Sequence, residues 1–448
     1  MRLRAVVTTL LALGATAPAA DRVDFELTVL EKDLCFACGV YAVGDIDRDG
    51  KDDIVAGGKN PRLWWARYPD IDVKLPIAES AALGLEIHLA DVDRDGDLDV
   101  LSSGGGITWW ENPLKPDGNP ATDGWTTHEF GSHGTGSNGG SHDFSVGDID
   151  GDGKVDAVER NKERPWTFYL QSTPTSFDIF TLDAATKTEG TALADLDNDG
   201  DLDITDGVAW FECPEDPANG TWRRHDLGPN HHMTRVAVGD LSGDQHPDIV
   251  VAPAEFGGSR TLWWEAPVDP RTGVWTEHVL FTHEDPNFHT LRIGDLDLDG
   301  NNDIVLGTTA YHDPPWGKRI IVFYNTNGDG SDMTEQQWES PRGAWQGVVG
   351  DVGGDGDLEI LTANYENGQF ELWENMRDPA GTGARRSSTG APGFVCGEPD
   401  RIMRLNGRAV CPGSLYPYPG RARLPGGMHR RVSNSREVVA PLLHIHGR

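Results

Sequence analysis

Seven short acidic loops recur along this chain, and no other feature limits its fold as strongly. The first is Asp45-Asp47-Asp49-Gly50-Asp53, with Asp91-Asp93-Asp95-Gly96-Asp99, Asp148-Asp150-Asp152-Gly153-Asp156 and Asp195-Asp197-Asp199-Gly200-Asp203 following. A weaker copy uses Asp240, Ser242, Asp244 and Asp248. Asp295-Asp297-Asp299-Gly300-Asp303 restores the full pattern, and a weaker seventh uses Asp351, Asp355 and Glu359. The starts lie 46, 57, 47, 45, 55 and 56 residues apart. A period of that size signals one supersecondary unit repeated around a larger architecture.

Acids at positions 1, 3, 5 and 9, with Gly at 6, suit a hard cation that takes many oxygens. Calcium takes six to eight oxygens at roughly 2.3–2.6 Å. The glycine supplies the sharp turn that wraps the loop around the ion. The reading is about five structural calcium sites, with the fifth and seventh loops weaker. An EF-hand would need a bidentate Glu at position 12. Position 12 here holds Ala56, Ser102, Glu159, Asp206, Val251 and Leu306 in the first six loops, which is no ligand pattern. The flanks Val43-Gly44 and Ile54-Val55 favour strands over helices. Asn325-Asn327-Asp329-Gly330 looks like a half-site and reads better as a plain hairpin turn.

Each loop sits inside a unit of four strands. In the fifth unit these are Thr234–Gly239, Asp248–Pro253, Thr261–Ala266 and Trp275–Phe281. Aromatics recur on the third strand: Trp64-Trp65, Trp109-Trp110, Trp210-Phe211, Trp263-Trp264, Phe323-Tyr324 and Trp373. Packing between units explains so regular a placement better than sugar binding does. Four short strands per repeat describe a propeller blade. The seventh unit has only three, Gln346–Gly350, Leu358–Ala363 and Phe370–Glu374, while Asp24–Leu30 stands alone before the first loop. Pairing that strand into the last blade seals the ring and removes exposed edges. The expected fold is all-β, a seven-bladed β-propeller of four-stranded blades closed by the N-terminal strand.

The run Val-Gly-Asp-Ile-Asp-Arg-Asp-Gly-Lys-Asp-Asp-Ile-Val at 43–55 resembles the FG-GAP/VCBS repeat. That repeat builds the seven-bladed propeller of integrin α chains and of many secreted bacterial and fungal proteins. The resemblance covers about residues 24–376 and implies calcium at Asp45, Asp47, Asp49, Asp53 and their counterparts. It specifies fold far better than function, because such propellers include lectins, adhesion heads, polysaccharide lyases and a fungal sugar dehydratase.

The ends differ from the repeats. Residues 1–20 read as a signal peptide: a basic start at Arg2 and Arg4, an apolar run from Ala5 to Ala15, and small residues at Ala17-Pro18-Ala19. The run is too short to span a bilayer. A secreted, extracellular or periplasmic location follows, and it suits calcium. The propeller is expected over 21–376 and a separate tail over 377–448. Beyond Arg377 that tail holds 11 Arg, no Lys and four acids, with many Pro and Gly, and reads as disordered. Cys35 and Cys38 suit a small disulfide in an exported protein. The formal net charge of −34 argues against nucleic acid, whose phosphates need a basic patch.

A candidate ligand site lies at the other end of the innermost strands, about six residues or 20 Å from the acidic loops. His142, Glu189, His232, His289, Arg235 and Arg292 gather there as candidate catalytic groups, with Asp143, Trp345 and Gln346 as candidate ligand contacts. Two His and a Glu suit a transition metal with an open position. The same groups suit proton abstraction beside a carboxylate that an Arg neutralises. Plain polar lining of a channel mouth is the competing reading. No nucleophile elbow, phosphate loop or H-E-x-x-H is present. Three functions remain open: binding of carbohydrate or another extracellular polymer; β-elimination on a sugar or uronic acid; and adhesion to a protein partner.

Overall fold

A computed structural model describes residues 23–31, 38–58, 63–79, 81, 83, 86–104, 106–130, 143–160, 165–182, 189–228, 234–254, 260–282, 287–309, 317–341, 343–363 and 370–377, with two short pairs, 404–405 and 408–409. The expected signal peptide, Cys35, His142, His232 and nearly all of the expected tail lie outside these residues. Among the described residues there is no helix.

The strands form seven antiparallel sheets of four strands each. Blade five runs Thr234–Gly239, Asp248–Pro253, Arg260–Glu265, Thr276–Thr282, within one residue of the sequence expectation. In blade seven the strands Gln346–Gly350, Glu359–Ala363 and Phe370–Asn375 are completed by Phe25–Glu31, which pairs antiparallel with Phe370–Asn375. The first strand of every blade touches those of both neighbours, and blade seven meets blade one. The ring is therefore closed, and the closing strand comes from the opposite end of the chain.

The core lies between blades. Side chains on a strand alternate between its two faces. Trp109 and Trp110 are successive, so Trp109 packs with Phe144, Val146 and Tyr169 of blade three while Trp110 packs with Trp65 and Val55 of blade one. Trp263 joins Ile293 and Phe323 of blade six, and Trp264 joins Ala192 and Trp210 of blade four. One aromatic pair thus seals two seams.

Blades two, four and five share a further device. Trp109, Trp210 and Trp263 stack on His128, His225 and His278 at centroid distances of 4.2, 4.1 and 4.1 Å. Each histidine in turn contacts a glutamate, Glu111, Glu212 or Glu265, at 2.8, 2.8 and 2.6 Å. The loop between the third and fourth strands of these blades is pinned by an indole N–H: Trp125, Trp222 and Trp275 donate to the carbonyls of Pro120, Pro217 and Pro270.

Trp263 is fully buried and fills the seam between blades five and six. Trp263→Ala is expected to destabilise the protein by about 3–5 kcal/mol. Chemical denaturation checks this, and a loss under about 1 kcal/mol would mean the seam collapses around the cavity.

Candidate functional site

All seven acidic loops share one backbone design. Positions 4 and 6 have positive φ throughout, including Arg48, Arg94, Asn198 and Leu298 at position 4 and Gln245 at position 6 of the fifth loop. The carboxylate at position 1 folds back on the turn: Asp45 accepts from the N–H groups of Asp49 at 2.9 Å and Gly50 at 3.0 Å. Asp195, Asp295 and Asp351 accept the equivalent pairs. Even the weak loops five and seven keep this shape, so their departures are in ligand atoms and not in fold.

Position 9 is buried and works in two directions. One oxygen accepts the N–H of position 2: Ile46 to Asp53, Val92 to Asp99, Ile149 to Asp156, Leu196 to Asp203, Leu241 to Asp248, Leu296 to Asp303 and Val352 to Glu359, all at 2.8–3.0 Å. The other accepts the N–H of a residue at or near the end of the third strand: Asn112, Gln171, Cys213, Ala266 and Asn325. That same residue often reaches back to the preceding blade. The side-chain amides of Asn112, Gln171, Asn325 and Asn375 donate to the position-2 carbonyls of Ile46, Val92, Leu241 and Leu296 at 2.8–3.0 Å. Cys213 stands at this place in blade four with its sulfur 3.7 Å from Ile149 O. The half-site at Asn325 is the turn between Arg319–Asn325 and Met333–Glu339, as a hairpin reading expects.

At the other end of the strands, the described members of the axial set are all buried: Asp143, Glu189, Arg235, His289, Arg292, Trp345 and Gln346. Arg235 of blade five donates Nε to the His289 carbonyl at 3.0 Å, and its Nη2 lies 3.1 Å from His289 Nδ1. His289 stacks on Trp345 of blade seven at 3.9 Å. Arg235 also faces Asp143 of blade three at 3.9 Å, skipping blade four. Sequence reasoning missed four partners. Arg160 binds Asp206 at 3.2 Å and also feels Asp143 and Glu189. His88 contacts the Phe144 carbonyl at 2.7 Å, and Glu86 accepts the Phe144 N–H. Burial, and then the charge of Arg292, pull His88 down to about 4, so it is neutral at pH 7. The signal for Arg160 was available: in an antiparallel pair the last residue of strand two lies opposite the first of strand one, as Asp143 does opposite Arg160. Together these contacts join buried polar side chains of blades two to seven in one network.

The family model for the FG-GAP-like repeat matches residues 45–102 and 295–362, which hold loops one, two, six and seven. The chain carries FG-GAP-like repeats. The search of curated proteins finds no match. In fold it is similar to BBS1N, crystallised in complex with ARL6DN in a mercury-soaked and a lead-soaked form. Each aligns at TM-score 0.50 and 9% identity, over 80% of this chain and 98% of that one. A looser likeness, TM-score 0.43 at 13% identity over 78% of this chain and 72% of the other, is to the exotype rhamnogalacturonan lyase YesX.

The acidic loops fit a cation on their own geometry. In loops one, two, three, four and six, three carboxylates offer oxygens within 4.8 Å of one another: Asp45, Asp47 and Asp53 in the first, and positions 1, 3 and 5 in the others. Oxygens all about 2.3–2.6 Å from one ion lie at most roughly 5 Å apart, so the spacing is right for calcium. All five loops that the sequence marks as strong are in this set, and one further group meets the same criterion. The electrostatics point the same way. Burial first, then the Asp47 charge, push Asp53 up to about 8. Burial pushes Asp99 to about 9 and Asp148, Asp195 and Asp295 to about 6. At pH 7 Asp53 and Asp99 are therefore held mostly protonated unless a positive charge lies beside them.

Two outcomes follow. The folded state holds protons on these acids that the unfolded chain releases above about pH 4, so their stabilisation is present at low pH and lost as pH climbs through about 6 to 9. In chelator, the melting temperature should therefore fall from pH 5 to 9, and millimolar calcium should flatten that slope; parallel curves would refute a cation at these loops. Separately, Gln245 holds a backbone shape that strains any side chain. Gln245→Gly should stabilise the protein by about 1 kcal/mol, read by denaturant titration.

Proposed function

We propose that this chain is a secreted propeller, stabilised by calcium at about five acidic loops, that binds a neutral carbohydrate or a similar extracellular polymer. The observation that carries the calcium part is the convergence of three carboxylates in each of five loops. A signal-like start at residues 1–20 supports export. For the polymer, the charge balance favours a neutral chain, since a net charge of −34 repels polyanions such as uronic-acid polysaccharides.

Burial supports binding over elimination. A general base must reach the proton it removes. Glu189 and His289 are 1% and 0% exposed, and His289 is held between Arg235 and Trp345. In this reading the axial set is the rigid floor beneath the ligand-facing end of the disc. That floor requires no transition metal.

A glycan array read with calcium and again with chelator tests the proposal. Neutral glycans are expected to bind in calcium and to lose most of their signal in chelator. A calcium site filled to about 100 times its dissociation constant contributes about 2.7 kcal/mol of stability, so melting should drop in parallel. A blank array, with ultraviolet-absorbing unsaturated product from a uronic-acid polymer, would replace binding with elimination. A blank array with capture of a defined protein would replace it with adhesion.

A further inference from the structure

The five strong loops are not electrostatically alike. Arg67 reaches Asp47 in loop one, Lys115 reaches Asp95 in loop two at 2.7 Å, and Arg377 reaches Asp297 in loop six at 3.3 Å. Each of these touches one loop carboxylate. Lys154 in loop three pairs with Asp152 of its own loop. Loop four is different. Arg271, from the neighbouring blade five, brings Nη2 to 2.6 Å from Asp197 and 2.5 Å from Asp199. Its Nε lies 2.9 Å from Glu212, so one guanidinium meets three acids.

The position is built and not incidental. Arg271 stands directly after Pro270, whose carbonyl accepts the Trp275 indole N–H at 3.3 Å. Its own N–H donates to Asp269, and Gly273 N–H donates to the Asp269 carbonyl at 2.7 Å, closing the turn. Blades two and four carry the same pinned loop, but the residue after the proline is Ala121 or Ala218. Only blade five puts a charge there among these three. A guanidinium bridging positions 3 and 5 meets the carboxylates that a calcium ion would need, at distances close to calcium–oxygen contacts.

We propose that Arg271 is a built-in counter-cation: it neutralises loop four, keeps calcium out of it, and clamps blade five to blade four without any metal. This rests on the calcium reading of the other loops. The chain would then hold one calcium fewer than its five acid-rich loops suggest. Loop four would stay folded in calcium-poor surroundings, where the others loosen.

Calcium bound per chain, counted by atomic emission after dialysis, tests the proposal together with melting in chelator. Arg271→Ala and the longer Arg271→Gln are each expected to bind one more calcium than the parent and to melt at lower temperature in chelator. Asp199→Asn, in the parent, is expected to leave the calcium count unchanged. If Asp199→Asn costs the parent one calcium, loop four binds the ion despite Arg271 and the proposal is overturned. If both Arg271 variants match the parent count, it is overturned as well. A parent that binds no calcium at all would instead sink the calcium reading of every loop.

Discussion

The buried carboxylate at position 9 is the joint on which the propeller depends. Its two oxygens accept one N–H from the turn of its own loop and one from the far end of the third strand. An acid accepting two backbone N–H groups is strongly oriented, and each such hydrogen bond contributes about 0.5–1.5 kcal/mol, more once the acid is ionised. The residue that donates the second N–H often also grips the preceding blade through its amide. Loop shape, blade width and blade-to-blade spacing are thus fixed at one place. In the first loop the same acid, Asp53, also belongs to the acidic cluster that could hold a metal ion.

The sequence made much of this legible. Repetition of the acidic pattern located the first and second strands of all seven blades, and the missing strand in the last unit pointed to closure by the N-terminal strand. Aromatic pairs marked the third strands because adjacent residues on a strand face opposite seams. What the sequence hid was pairwise. The Asn112 clamp onto Ile46 links residues 66 apart, and nothing at either position announces it alone. The Trp–His–Glu stacks were written as a W-x-E followed by W-x-x-H in three blades, a pattern visible only when the repeats are superimposed.

The axial set shows a different limit. Placing His289, Arg235 and Trp345 near one another needed only strand length and the closed ring. Whether they face solvent depends on side-chain reach across the axis, and Arg235 extends past blade four towards Asp143. Long cationic side chains meeting buried acids make a crossing that residue spacing does not encode. Paired charge in such surroundings fixes one arrangement more than it adds net stability.

The amide clamps carry one more consequence. Ala266 occupies the clamp position in blade five and has no side-chain donor to offer loop four. Alongside the packed core there, Arg271 supplies the tie from the outer loop. Ion pairs weaken as dissolved salt screens them, while short neutral hydrogen bonds scarcely respond. In this seam the outer tie is thus the salt-sensitive part, laid over an apolar core that salt leaves in place.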